Sequence, residues 1–143
     1  MGYRINEDTI KANLFIPASD FNKAFELARK HALAQESFCR VERCDIMNAT
    51  DLKEYISAMR WDMKFDKNGN FVSICNYGIN VADEEILFES IAYFMKDGSF
   101  VEFEREGYGG QEKERYDFSN GSVQKTRFVK QCDMNDKEFW QEI

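Results

Sequence analysis

The segment that decides the fold reads RWDMKFDKNGNFVSICNY over residues 60–77. Its first half alternates in polarity, with Trp61, Met63 and Phe65 on one face and charged side chains on the other, which is the period of a β-strand. Asn68-Gly69 is the preferred pair for a type I′ turn, because both central residues of that turn have positive φ. We therefore predict a β-hairpin with strands over 60–66 and 71–77.

Further strands are predicted on both sides of this hairpin. A second Asn-Gly pair, Asn120-Gly121, predicts a hairpin with strands over 114–119 and 122–129. A strand over 99–105 precedes it. The apolar stretch 12–16 reads as a first strand that Pro17 ends, and a short strand is predicted at 40–42.

Helical periodicity appears in three places. Ser19 or Asp20 is predicted to cap a helix running to about Gln35, and Thr50 or Asp51 to cap a short helix through Met59. A third helix starts at Asp83, and Asp97-Gly98 ends it. The tail from about Asp133 is predicted to form a short helix that docks Phe139 and Trp140.

These segments define the fold class. Because hairpins dominate, we predict an α+β fold, with a mostly antiparallel sheet built from hairpins and two to three helices packed on one face. A chain of 143 residues with 43% apolar side chains can bury a core as a single domain over 1–143.

The formal net charge of −7 limits the classes of partner. Nucleic-acid binders and proteins that adhere to anionic membranes need an excess of Lys and Arg, so we expect neither nucleic acid nor membrane as a direct partner. No apolar run approaches a membrane span, and the N-terminus lacks the pattern of a secretory signal. The irregular spacing of the four cysteines favours free thiols, and all of this favours a cytoplasmic protein.

Catalytic and metal-binding motifs are not evident. His31 is the only histidine and lies at the edge of a helical stripe, and the spacing of Cys39 and Cys44 is not that of a zinc knuckle. Asp62 and Asp66 share their strand face with basic residues, as on a solvated surface. Asp66–Asn70 faintly resembles a calcium loop, but a hairpin turn fits it better. We predict no metal and no cofactor, and a non-enzymatic protein is favoured over an enzyme.

A glycine-rich loop lies at 107–110. A phosphate-binding loop should connect a strand to a helix, whereas this one connects two strands. It is predicted to be a flexible connection, with Tyr108 available to contact a partner.

Charge is concentrated in one segment. Residues 83–106 hold eight acids against Lys96 and Arg105, a local net charge of −6. This segment is either a solvated face that aids solubility or a docking surface for a basic partner. In the second interpretation the partner-binding residues are Glu84, Glu85, Glu89, Glu102, Glu104, Glu106 and Tyr108.

Several motifs resemble one group of proteins. Trp61 in an alternating strand, Phe65–Asn70, Leu87-Phe88-x-x-Ile91-Ala92, Asp97–Glu102 and Phe118-x-Asn120-Gly121 are similar to those of small uncharacterised proteins of phages and mobile elements. That group often carries a Trp in the strand before the final turn, where this chain has Tyr116. The resemblance implies a setting of phage and host conflict inside a bacterial cell, where small acidic inhibitors are common.

Three functions follow from these observations as hypotheses. The favoured one is a non-enzymatic binding or inhibitor protein of the phage anti-defence type, acting on a basic, nucleic-acid-handling protein. A toxin immunity protein is an alternative of the same class. A small enzyme or ligand-binding domain using carboxylates with Tyr108 or Tyr116 is an alternative of another class, and homo-oligomerisation is left open.

Overall fold

The computed structural model describes residues 3–76, 80–107 and 110–143. The helices in these ranges are α1 (Phe21–Leu33), α2 (Arg43–Asn48), α3 (Leu52–Ala58) and α4 (Glu84–Ile91), with 3-10 turns at Ala18–Asp20 and Ala92–Phe94. The strands are β1 (Tyr3–Asn13), β2 (Asp62–Phe65), β3 (Phe71–Cys75), β4 (Asn80–Val81), β5 (Phe100–Gly107), β6 (Gly110–Ser119), β7 (Ser122–Cys132) and β8 (Glu138–Glu142).

Six of these strands form one antiparallel sheet in the order β4-β1-β5-β6-β7-β8, and β2 and β3 form a separate hairpin. The predicted α+β class with a mostly antiparallel sheet is confirmed. The separate hairpin is tied to the first strand segment through backbone bonds between Ile16 and Phe71. The predicted strand 12–16 is therefore divided: residues 12–13 pair with β5, and Leu14 and Ile16 bond to β3.

Both predicted hairpins form, but only one uses the predicted turn. Asn120 and Gly121 both have positive φ, 52° and 76°, as a type I′ turn requires. In the β2–β3 turn Gly69 has positive φ and Asn68 does not, so the type I′ prediction is wrong there. The cause is Asp66, whose carboxylate accepts hydrogen bonds from the N–H groups of Asn68 and Asn70. These bonds, that from Asn70 first, lower the pKa of Asp66.

The helices follow their apolar periodicity. α1 buries Ala24, Phe25, Ala28 and Ala32, as the stripe predicted. Asp51 caps α3 by accepting a 2.8 Å hydrogen bond from the N–H of Glu54, which confirms the predicted cap. α4 begins one residue after Asp83, but it ends at Ile91 and a 3-10 turn follows over Ala92–Phe94, so the predicted helix end at Asp97-Gly98 is wrong. The chain turns at Gly98, where φ is 86°.

The region of the predicted strand 40–42 folds differently. No strand forms at these described residues, and helix α2 begins at Arg43. The N–H groups of Cys39, Arg40 and Val41 all donate to the carboxylate of Asp83, at 2.8, 2.8 and 3.0 Å. A side chain from a distant segment has taken the place of a neighbouring strand, so the strand prediction is wrong.

The predicted tail helix is also wrong. Residues 138–142 form the edge strand β8, paired with β7 from Cys132↔Glu138 to Phe128↔Glu142. The carboxylate of Asp133 accepts from the N–H groups of Asn135 and Lys137 and closes the turn between the two strands. Phe139 is 46% exposed, so it does not dock into the core.

An aromatic cluster joins helix α4, the six-stranded sheet and the segment that leads into the β2–β3 hairpin. Phe88 of α4 packs on Tyr116 of β6 with ring centroids 4.6 Å apart, and Trp61 lies 5.5 Å from both Phe88 and Phe103. All four side chains are almost fully buried. The inner face of the sheet is thus the face that α4 covers. Among the described residues, no helix is both long enough and apolar enough to cross a membrane.

Candidate functional site

The acidic segment 83–106 does not form one surface. Val101 and Phe103 of β5 are buried on the inner face, and strand alternation places Glu102, Glu104 and Glu106 on the outer face. Glu85 and Glu89 belong to α4, on the other side of the sheet. Residues that are close in sequence are therefore separated by the sheet itself.

Two of the three helical acids of this segment are unavailable to a partner in the folded protein. Glu84 is 4% exposed, so it does not contribute to a surface. Glu85 lies 3.4 Å from the ammonium of Lys125. Glu89 lies 3.7 Å from Nε2 of His31, whose side chain is partly exposed. Of the predicted partner-binding residues of α4, Glu84 and Glu85 thus serve contacts within the protein, whereas Glu89 is 46% exposed and makes no hydrogen bond to His31.

The strand acids differ from one another. Glu102 forms an ion pair with Arg115, with 3.0 Å between a carboxylate oxygen and a guanidinium nitrogen, and Arg115 also pairs with Asp117. Glu104 and Glu106 have no ion pair with any other described residue. Tyr108 lies outside the described residues.

Glu104 and Glu106 line an open cleft of about 390 Å³ at the end of the β1–β5 pair. The same cleft receives Glu7 and Asp8 from β1, which the sequence reasoning did not select. Its basic lining residues are Arg4 and Arg105. Four carboxylates from two strands therefore meet at one place on the surface, although one pair is almost 100 residues from the other in sequence.

An irregularity in β1 builds this cleft. The register with β5 passes from Asn6↔Glu104 to Lys11↔Glu102, so β1 holds three residues more than β5 across this interval. Asn6 accepts the N–H of Asp8 through Oδ1 and the hydroxyl of Thr9 through its carbonyl. The Thr9 hydroxyl in turn accepts the N–H of Glu104 at 2.9 Å. These bonds hold the extra residues as a turn beside the cleft.

Two of the basic groups near the cleft, those of Arg105 and Lys113, are committed elsewhere. The guanidinium of Arg105 bonds Glu114 at 2.6 Å and Glu112 at 3.5 Å on the inner face. Lys113 stands opposite Glu104 in register, but its ammonium lies over the rings of Phe128 and Trp140, 4.7 and 5.0 Å from their centroids. With Arg105 and Lys113 turned to other groups, Arg4 is the remaining basic lining residue beside four carboxylates, so the cleft is acidic by count.

A second charged cluster lies beneath α4 on the inner face. Glu114 is 1% exposed and accepts from the Tyr116 hydroxyl at 2.8 Å and from Lys125 at 3.3 Å. Burial, and then the charge of Glu114, raises the pKa of Glu84 to about 7. Burial chiefly raises the pKa of Tyr116 as well.

This buried cluster contains carboxyls and a tyrosine of the kind used in acid–base chemistry. Neither Glu84, Glu114 nor Tyr116 lines the acidic cleft. Their contacts join α4 to β5, β6 and β7. The sequence signal for Glu114 was present but overlooked: it stands in the same alternating row as Tyr116 and Phe118, which marks it as inward-facing.

The candidate metal and thiol residues are dispersed. The four cysteines are free, as predicted, with Cys39, Cys44 and Cys132 exposed and Cys75 partly buried. Within residues 3–76, 80–107 and 110–143, no group of three or more His, Cys, Asp or Glu side chains is arranged to hold a metal ion. The carboxylate of Asp66 binds its own turn, as described above.

Comparison of the chain with protein-family models, curated proteins and solved structures found no match. The resemblance to small phage and mobile-element proteins therefore stays a prediction. The class of protein is defined by its α+β architecture alone, and its surfaces are the only basis for a proposed function.

Proposed function

We propose that this protein is a non-enzymatic binding protein whose acidic cleft engages a basic surface of another protein. The observation that carries the proposal is the convergence of Glu7, Asp8, Glu104 and Glu106 around one cleft without an ion-pair partner among the described residues. Unpaired like charges repel one another, and a cationic partner would relieve that repulsion.

The neighbouring acids on α4, β5 and β6 differ from those of the cleft. Glu85, Glu102 and Glu112 each have an ion-pair partner within the chain, at 2.8 to 3.4 Å. A face that served solubility alone would gain nothing from the hydrogen-bonded turn that positions Glu7 and Asp8. The turn at Asn6–Thr9 instead orders the backbone at the cleft before any partner arrives, which lowers the entropy cost of binding.

The partner is proposed to be a basic, nucleic-acid-handling protein, and the setting to be phage anti-defence in the bacterial cytoplasm. Proteins that bind nucleic acid carry clusters of Lys and Arg that attract an acidic surface over about 10 Å at 0.1 M ionic strength and about 30 Å at 0.01 M. An acidic protein seated on such a cluster would exclude the nucleic acid from it.

The proposal is tested by affinity capture from bacterial lysate at low salt. The wild-type protein is compared with a variant carrying Glu7→Gln, Asp8→Asn, Glu104→Gln and Glu106→Gln. The matched control removes four exposed charges elsewhere, through Glu36→Gln, Glu42→Gln, Asp45→Asn and Asp136→Asn. Because both variants have the same net charge, any difference in the proteins that they retain depends on where the removed charges lie.

We expect the wild type and the control to retain the same basic protein and the cleft variant to lose it. Retention should also weaken as salt rises to about 0.5 M, because surface charges are then screened within a few ångströms. A partner retained equally by all three proteins, or lost by both variants, would contradict the cleft as its binding site. The identity of the captured protein separates an anti-defence target from a toxin.

A further inference from the structure

A groove on the helical layer differs in chemistry from the rest of the surface. It measures about 520 Å³ and lies between α1 and the 3-10 turn after α4, lined by Lys23, Glu26, Leu27, Lys30, Tyr93 and Phe94. Leu27 is 40% and Tyr93 67% exposed, although both are large apolar side chains. The groove therefore offers an apolar floor that nothing in the described chain covers.

Lys23 and Lys30 lie on either side of the apolar part of the groove. Lys23, Leu27 and Lys30 occur at positions i, i+4 and i+7 of α1, so they lie along one face of the helix with the leucine between the charges. Neither lysine has an ion pair with a described residue. By contrast, Lys125 and Lys130 on the sheet are bound to carboxylates of the chain.

We propose that this groove is a second docking site, and that it takes an acidic amphipathic peptide segment of another protein. Apolar anchors of the segment would contact Leu27, Tyr93 and Phe94, and its carboxylates would pair with Lys23 and Lys30. The site shares no residue with the acidic cleft, so it stands or falls independently of the function proposed above.

The charge pattern favours a peptide over other anionic ligands. The net charge of −7 opposes every anionic ligand, and it opposes most strongly those that carry many charges over an extended surface, such as nucleic acid or an anionic bilayer. Nucleic acid and anionic membranes also bind best to extended basic patches, whereas this groove has only two lysines together with Glu26. A single amphipathic segment needs a concave apolar surface with a few flanking charges, which the groove provides.

The test uses a fluorescein-labelled 18-residue peptide with leucines at heptad spacing and glutamates elsewhere, titrated with the full chain and followed by anisotropy. The variants are the charge reversal Lys23→Glu with Lys30→Glu, and Tyr93→Ala with Leu27→Ser. The control is Lys53→Glu with Lys67→Glu, which reverses two exposed lysines outside the groove. Circular dichroism checks that each variant is folded.

We expect saturable binding that weakens about tenfold in both groove variants and less than about twofold in the control, in line with the loss of a few central contacts. A peptide in which lysines replace the glutamates should bind at least about tenfold more weakly. Absence of saturation up to about 1 mM peptide overturns the proposal, as does equal binding by the groove variants. Stronger binding to anionic phospholipid vesicles or single-stranded DNA than to the peptide, lost in the lysine variant, would reassign the groove to that ligand and also overturn it.

Discussion

Nε of Arg105 lies 2.6 Å from Oε2 of Glu114, and this contact joins β5 to β6 on the covered face of the sheet. The two residues are diagonal neighbours, since Arg105 stands opposite Glu112 and Glu114 stands opposite Phe103. Tyr116 and Lys125 complete the surroundings of the Glu114 carboxylate. The pair also turns the one charge of Arg105 away from the acidic cleft that this residue lines.

Removing the charge of Glu114 should destabilise the protein strongly. Glu114→Gln leaves the largely buried guanidinium of Arg105 without its nearest anion, and breaking a buried pair from one side costs about 3–5 kcal/mol. Urea denaturation gives the free energy of unfolding. Glu36→Gln, at an exposed position, is the control and should change it by less than about 0.5 kcal/mol. Equal stability of the two variants would contradict the importance of the buried pair.

The stability of the protein should depend on the protonation of Glu84. Burial and the charge of Glu114 raise its pKa from 4.5 to about 7, so the folded state binds a proton more tightly than the unfolded state. The stabilisation from this proton is complete below pH 4.5 and is lost as the pH rises through about 7. Glu84→Gln stays neutral at every pH and should therefore be more stable than the wild type at pH 8, by about 2–3 kcal/mol.

Urea denaturation of the wild type and Glu84→Gln across this pH range measures the effect. The advantage of the variant should shrink toward acid pH, where Glu84 is protonated in both states. Glu85→Gln changes the neighbouring residue, which is exposed, and should not show this pH dependence. A constant difference between Glu84→Gln and the wild type at all pH values would contradict the raised pKa.

Asp83→Ala should loosen the segment before α2. The substitution removes the acceptor for three N–H groups, of Cys39, Arg40 and Val41, and the buried one at Val41 then lacks that partner. We expect a loss of about 2–3 kcal/mol in the free energy of unfolding, because charged acceptors of several bonds contribute more than neutral ones. Hydrogen exchange should become faster at residues 39–41 and stay unchanged at the β6–β7 hairpin. Unchanged exchange at 39–41 would mean that other groups hold this segment.

The four thiols should divide into two kinetic classes. Cys39, Cys44 and Cys132 are exposed, while Cys75 is partly buried and its Sγ lies 3.8 Å from the carbonyl oxygen of Asp62. Titration of the native protein with Ellman's reagent should show three fast thiols and one slow one. In concentrated guanidinium chloride all four should react at once. Fewer than four reactive thiols in the unfolded, unreduced protein would reveal a disulfide.

Much of the fold was predictable because it depends on local sequence. The alternation of Trp61 and Met63, the paired positive φ of Asn120 and Gly121, and the cap at Asp51 are decided by neighbouring residues. The predictions of a strand at 40–42 and of a tail helix were wrong because groups distant in sequence determine the conformation of those segments. Asp83 binds the backbone of the first, and β7 pairs with the second.

The acidic cleft was predictable only in part. Glu104 and Glu106 stand out as alternating acids on a strand, and the sequence was sufficient to select them. Glu7 and Asp8 reach the same cleft because β1 pairs with β5 and carries three additional residues there, a long-range pairing that has no local signal.

The sequence by itself determined the net charge, the α+β class and the run of acids in residues 83–106, since these follow from composition and from periodicity along the chain. Only the tertiary structure decided which of those acids face solvent without a partner. The sheet places α4 and the outer face of β5 on opposite sides, and an ion pair with Arg115 on the neighbouring strand neutralises Glu102. The electrostatic interaction between two side chains depends on the distance between them. In this protein the short distances join residues that are far apart in sequence.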